Sequence, residues 1–312
     1  MTIPIGWHCF GSSKENVLSV LMLHGFMGCS KDWIPVTKAL NMRNYRYVCP
    51  DLPGHGTVQH ILEGADKSMK EVAAALRAGL PGRLARPCAL SGYSMGGRLA
   101  LYLALQYPTQ FSRLVLISAS PGIEDAEERA ARRLSDKQLA LHLQQFGRPG
   151  ERLKEPVVPK NPNNTEPAWD SNFESFLKRW YSQPPFTHLQ KKPDLRTRLI
   201  GNKCGNHPRA LAASLIGMGT GMQPNLWHRI HNLKIPVLLI TGEYDEKFTR
   251  IALAVKERVP HAQHAVIPDS GHIPQEENPG TFAAVLKVFL KGETDDEAQN
   301  AYDSTVPKDA PQ

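Results

Sequence analysis

Apolar positions along this chain gather in short continuous runs rather than strict alternation. Val17–Leu23 (V-L-S-V-L-M-L), Arg113–Ser118 (R-L-V-L-I-S) and Ile235–Thr241 (I-P-V-L-L-I-T) read as strands covered on both faces, because a strand with one wet face would alternate. Residues 3–10, Tyr45–Cys49 and Ala262–Ile267 add further strands, and a strand-like lead-in from Cys88 runs into Gly92. Between them, residues 31–41, 68–80, 248–258 and 279–291 carry helical spacing, as does the run L-A-L-Y-L-A-L from Leu99. Strands alternating with helices in this way predict a parallel α/β sheet.

The alternation is interrupted once. From Ile123 to Ile230 the pattern is helical without strands, with helices expected over about 123–146, 170–182, 193–203 and 208–217 and a Pro/Asn-rich loop from Pro156 to Pro167. The organisation expected is therefore a core of residues 1–122 and 231–292, a helical cap of residues 123–230 inserted over the sheet, and a tail. The tail, residues 293–312, is polar and acidic without apolar periodicity, so it is expected to be disordered.

Composition narrows the functional classes. With 312 residues, 41% hydrophobic and 21% charged, the chain can bury one large core. No apolar run is long enough to span a bilayer. The start, Met-Thr-Ile-Pro-Ile-Gly-Trp, lacks the basic region of a signal peptide and the Arg/Ser-rich character of a transit peptide. The five cysteines (Cys9, Cys29, Cys49, Cys88, Cys204) are scattered without a C-x-x-C, which points to reduced thiols rather than a disulfide frame or zinc site. A soluble, cytoplasmic chain is the expectation, and the Asn163-Asn164-Thr165 sequon has no use in that setting. The net charge of +7 is uneven: Lys291–Gln312 holds six acids and two bases, whereas Ile123–Ile230 holds 17 bases and 11 acids. The bases are mixed with acids and lack interleaved aromatics, so nucleic acid is not expected as a partner. The charge fits a small anionic substrate, or equally a solvated basic face.

Candidate chemistry centres on Gly92-Tyr93-Ser94-Met95-Gly96. A G-x-S-x-G between an apolar strand and a helix is a nucleophile elbow: the serine sits on a strained turn, and flanking glycines let strand and helix approach. Ser94 is the expected nucleophile or base, and the Met95 amide, at the helix N-terminus, one oxyanion donor. The glycine-rich loop His24-Gly25-Phe26-Met27-Gly28 follows the first long strand, which makes the Phe26 amide the second candidate donor. A serine of this kind needs a histidine to take its proton and an acid to hold the histidine, both on later strand-following loops. Gly242-Glu243-Tyr244-Asp245 and Pro268-Asp269-Ser270-Gly271-His272 are those loops. Asp245 is assigned as acid and His272 as base, with Glu243 and Asp269 as rival acids. Asp51 and His55 also suggest an acid–base pair, but the Pro/Gly-rich segment around them favours a structural role through local Asx-type bonding.

These motifs together resemble the α/β-hydrolase superfamily across residues 15–291. Four segments resemble one family more narrowly: G-Y-S-M-G-G-R (92–98), S-P-G-I-E-D-A-E-E-R-A-A-R-R-L-S-D (120–136), W-Y-S-Q-P-P-F (180–186) and G-E-Y-D-E-K-F (242–248). That family is 2-succinyl-6-hydroxy-2,4-cyclohexadiene-1-carboxylate synthase, the MenH family of menaquinone and phylloquinone biosynthesis. The resemblance implies an α/β-hydrolase fold and a cofactor-independent, metal-free lyase. In it, Ser94, activated by His272 and Asp245, would remove a proton alpha to a succinyl ketone. Phe26 and Met95 would hold the enolate, and pyruvate would be eliminated. The implied substrate is a tricarboxylate, which would give the basic cap a purpose. Motif by motif, its carboxylates would fall to Arg98 and Arg132, with Tyr93 and Trp180 as pocket neighbours. A third arginine of the family falls at or near Lys203, a departure, because an ammonium is a point charge rather than a bidentate fork. If the chain were part of a plant or algal fusion, its compartment would be an organelle stroma. The competing readings are a carboxylesterase or C–C bond hydrolase of the same fold, and a non-catalytic binding protein. Oligomeric state is not legible.

Overall fold

The computed structural model describes residues 3–14, 17–59, 68–80, 82, 84, 87–146 and 173–292. The Pro156–Pro167 loop, the Asn163 sequon and the tail from residue 293 lie outside the described residues. Seven strands form one sheet: β1 (Gly6–Gly11), β2 (Leu18–Leu23), β3 (Tyr45–Asp51), β4 (Cys88–Tyr93), β5 (Phe111–Ile117), β6 (Val237–Gly242) and β7 (Gln263–Ile267). Their order is β1-β3-β2-β4-β5-β6-β7. Edge strand β1 runs antiparallel to β3, and every other pairing is parallel.

Continuous apolar runs become two cores because side chains alternate across a strand. Along β2, Leu21 and Leu23 face one layer while Val20 and Met22 face the other. The second layer is closed by α1 (Ile34–Leu40), the first by α2 (Met69–Gly79) and α3 (Met95–Gln106). Between β5 and β6 come α4 (Ala126–Gln144), α5 (Phe173–Trp180), α6 (Pro193–Lys203) and α7 (Pro208–Met218), with no strand among the described residues there. The chain then resumes with α8 (Glu246–Arg258) against the first layer, the single turn α9 (Pro274–Glu277), and α10 (Pro279–Lys291) against the second. On α10, Phe282, Leu286 and Phe289 are buried, each worth roughly 1.5–3 kcal/mol relative to exposure.

Boundaries differ from the sequence expectation where local chemistry intervenes. The helix expected over 31–41 opens as a 3-10 turn, Ser30–Trp33, and becomes α-helical only at Ile34. Pro35, lacking an N–H, fits that first turn. α4 starts at Ala126 rather than 123 because Asp125 caps it, its carboxylate accepting the Glu128 N–H at 2.7 Å. α8 starts two residues early for the same reason, with Asp245 as its cap. A third apolar cluster joins α4–α7 to the core: Leu143, Phe176, Leu177, Leu199, Leu211 and Leu215 pack together with Met27 and Ile273. Those two anchor residues belong to the Gly25–Gly28 and His272 loops, so the inserted helices sit against the loops that carry the candidate chemistry.

Candidate active site

Strand ends and tight turns build the site. Ser94 is the N-cap of α3 and has φ +50° and ψ −109°, outside the regions that L-residues favour and a local cost of about 1–3 kcal/mol. The flanking glycines are required by contact. A Cβ on Gly92 would collide with the Gly96 carbonyl, and one on Gly96 with the Leu23 and His24 carbonyls. The elbow is thereby pressed against the end of β2.

β6 and β7 pair in parallel, with Gly242 opposite Ile267, so the two loops that follow emerge side by side. A Cβ on Gly242 would strike the Gly271 and Ser270 carbonyls; only glycine lets the acid and histidine loops come this close. Asp245 and His272 are buried. His272 Nδ1 lies 2.7 Å from Asp245 Oδ2, and its Nε2 lies 3.4 Å from Ser94 Oγ. With Nδ1–H donating its hydrogen bond to the carboxylate, Nε2 is left as the acceptor for the serine hydroxyl. The rings of Phe248, Tyr93 and Phe186 pack around the imidazole at 4.6, 5.5 and 5.5 Å. The rival acids are engaged elsewhere: Glu243 accepts the Asp269 N–H at 2.9 Å, and Asp269 pairs with Lys192 at 2.7 Å.

The loop bearing Phe26 is held from below by His24. Its Nε2 accepts the Leu52 N–H at 3.0 Å and its Nδ1–H donates to the Gly25 carbonyl at 2.8 Å. Burial pushes the His24 imidazole below its ordinary value, consistent with this neutral, acceptor-bearing tautomer. Asp51 and His55 form no acid–base pair. Asp51 accepts the N–H groups of Ser30 and Thr57 at 2.6 and 2.8 Å. Burial would raise its carboxyl, but those bonds overcome it and hold it at about 2. Burial, then the neighbouring His24, takes His55 down to about 3.

A cavity of about 610 Å³, counting its open mouth, adjoins Ser94. His24, Phe26, Tyr93, Trp180, Tyr181 and Phe186 give it aromatic walls, and Asp32, Lys203 and Glu276 give it charge. Phe26 and Trp180 meet edge to face at 6.0 Å. Lys203 is placed here, but its ammonium lies 2.6 Å from both Asp32 oxygens. Burial lowers the ammonium, yet Asp32 and Tyr181 more than offset this and hold it above its ordinary value. The point charge expected to meet a ligand therefore already has an acid of its own.

Arg98 and Arg132 are not among the residues that line this cavity; Arg98 stands in the first turn of α3 and feels the charge of Arg132. Arg98 is 8% exposed, and its Nη1 has no hydrogen-bond partner among the described residues. Burial first, and the charge of Arg132 second, draw its guanidinium down to about 10. Arg132 donates through Nε to Asp136 at 2.7 Å, and its side chain is 41% exposed. Two guanidiniums near one carboxylate leave a net positive locus, suited to an anion.

Sequence reasoning passed over Asp32, Glu276 and Glu277. Glu276 lines the cavity and meets Arg198 at 3.1 Å; burial, with Asp32 beside it, raises its carboxyl to about 7. Its only sequence signal was an acid pair shortly after the candidate histidine. No group of three or more His, Cys, Asp or Glu suited to a metal occurs among the described residues.

Residues 19–279 match the family model described as the alpha/beta hydrolase fold. The chain is 32% identical over 280 residues to the 2-succinyl-6-hydroxy-2,4-cyclohexadiene-1-carboxylate synthase of Enterobacter sp. (strain 638), covering 90% of this chain and 94% of that protein. It is 26% identical over 297 residues to the protein PHYLLO, chloroplastic, of Arabidopsis thaliana, covering 91% of this chain but 16% of that one. Among solved structures it superposes on MenH from S. aureus with a TM-score of 0.78 at 28% identity, covering 94% of this chain and 99% of that one.

Proposed function

The chain belongs to the 2-succinyl-6-hydroxy-2,4-cyclohexadiene-1-carboxylate synthase (MenH) family of α/β-hydrolase-fold lyases, and from that premise we propose how its residues do the chemistry. The substrate is 2-succinyl-5-enolpyruvyl-6-hydroxy-3-cyclohexene-1-carboxylate, and the reaction eliminates pyruvate on the route to menaquinone or phylloquinone. His272 takes the Ser94 proton, and the serine oxygen removes the proton alpha to the succinyl ketone. The Phe26 and Met95 amides stabilise the enolate. As the ring electrons shift, the C–O bond to the enolpyruvyl group breaks. The leaving enolate takes a proton and becomes pyruvate, and Ser94 and His272 return to their starting states.

One observation carries this reading: Ser94, on the wall of a cavity, is followed in hydrogen-bonding sequence by His272 and Asp245 at 3.4 and 2.7 Å. Arg98 and Arg132 supply positive charge for substrate carboxylates, and Tyr93 and Trp180 the apolar wall for the ring. The described helices between β5 and β6, α4–α7, act as the cap over it. We place the protein in the cytoplasm, or in a stroma if the chain is part of a plant or algal fusion. No helix among the described residues is long and apolar enough to cross a membrane.

The test is pyruvate release followed spectroscopically with purified protein. Ser94→Ala is expected to lower kcat by at least about 10³-fold while the variant stays folded. Undiminished turnover in that variant would defeat the role given to Ser94, and nitrophenyl ester hydrolysis at rates rivalling pyruvate release would replace the lyase reading with the esterase one.

A further inference from the structure

The imidazole of His272 is fixed at its two nitrogens, but the loop that carries it has a hold of its own. Glu277 ends α9, five residues beyond His272, and is 7% exposed. Its Oε2 accepts the N–H of Gly271 at 2.9 Å, and its Oε1 accepts the N–H of Ile273 at 3.0 Å. The two amides are those immediately before and after His272. One carboxylate thus grips the main chain on both sides of the histidine.

Charge and geometry both bear on why an acid stands here. Two converging N–H groups need a group that only accepts; a carboxamide would turn its NH₂ toward one of them. Bonds to an ionised acceptor are also about twice as strong as neutral ones. The segment between α5 and α6 holds the same loop from outside. The Lys192 ammonium donates to the Asp269 carbonyl at 2.6 Å and to the Glu277 carbonyl at 2.9 Å, and His188 meets Asp269 at 3.2 Å. These outer contacts fix where the loop lies, whereas the Glu277 side chain fixes the peptide planes that aim the imidazole.

We propose that Glu277 is a positioning residue for the base, setting the rotation of His272 between Asp245 and Ser94 through the amides of Gly271 and Ile273. This rests on the role given to His272 above. Glu277 does not itself line the cavity, and its carboxylate is spent on the two amides beside His272, so its main effect falls on proton transfer rather than on substrate affinity.

The experiment compares wild type with Glu277→Gln and Glu277→Asp. Pyruvate release gives kcat and KM separately, and the low-field proton NMR signal of His272 Nδ1–H is recorded without substrate. Glu277→Gln is expected to lower kcat by about tenfold or more, with KM within about twofold, and to shift or broaden the Nδ1–H signal. Glu277→Asp keeps the charge with shorter reach and is expected to recover part of kcat. The proposal is overturned if folded variants keep wild-type kcat, or lose it while the Nδ1–H signal stays at its wild-type position. The signal needs no substrate, so wild-type protein without pyruvate release would count against the lyase reading alone and leave Glu277 still testable.

Discussion

At the scale of single residues, the cavity pairs acids with bases where an anion binder would be expected to present bases only. Glu276 is the telling case. Its folded-state carboxyl, at about 7, lies above the ordinary 4.5, so between those values the native chain holds a proton that the unfolded chain has released. The native state binds more protons in that window, and stability from this group therefore falls as pH rises through it. Glu276→Gln removes the titration. Its urea midpoint should drop less than wild type between pH 5 and pH 8, by a difference equivalent to at most about 2–3 kcal/mol. Parallel curves for the two proteins would show that Glu276 ionises normally. The sequence shows an acid at this position but not its surroundings, because the desolvation comes from residues far along the chain. Ser94, Asp245 and His272 were legible for the opposite reason: each sits just past a recognisable strand, and the parallel sheet brings strand ends together. Arg98 entered through the family resemblance; its near-complete burial did not show in the sequence.

At the scale of elements, helix periods located most helices to within a few residues, and the errors came from caps. Asp245 illustrates how a cap and a proposed catalytic residue coincide. Its Oδ1 accepts the Phe248 N–H at 3.4 Å, starting α8, while its Oδ2 holds His272. The two roles can be separated, because asparagine caps as well as aspartate but cannot stabilise an imidazolium with a full charge. Asp245→Asn is expected to cost under about 1 kcal/mol of stability and to lower kcat by about 10³- to 10⁴-fold. Asp245→Ala should add the loss of the cap, about 1 kcal/mol more. Thermal unfolding set beside pyruvate release reads both. An Asn variant as unstable as the Ala variant would mean that capping is not what Asp245 gives to α8. Antiparallel β1 at the sheet edge was not legible at this scale, since a short run such as residues 3–10 shows that a strand exists but not its partner.

At the scale of the whole molecule, the question is what keeps the inserted helices registered on the sheet. Besides the apolar cluster around Met27 and Ile273, two polar ties reach the Gly25–Gly28 loop and its flank. Lys203, at the end of α6, grips Asp32, and Asn206 donates to the Met27 carbonyl at 2.9 Å. Asp32 and Lys203 are 171 positions apart, so no local reading could join them, and the sequence offered Lys203 as an anion ligand instead. The side chains are 7% exposed for Lys203 and 21% for Asp32. Removing either partner alone leaves a largely desolvated charge, whereas removing both leaves none. Lys203→Met and Asp32→Asn should each destabilise by about 2 kcal/mol, less than a fully buried pair because water reaches Asp32, and the double variant should lose far less than the sum. A coupling of about 1–2 kcal/mol from urea unfolding is the expected result. If Lys203 serves as this tie, KM for the anionic substrate moves by less than about threefold in Lys203→Met once the folded fraction is taken into account. Additive stabilities together with a KM raised more than about tenfold would return Lys203 to the ligand role, with Asp32 then holding it in place only until substrate arrives.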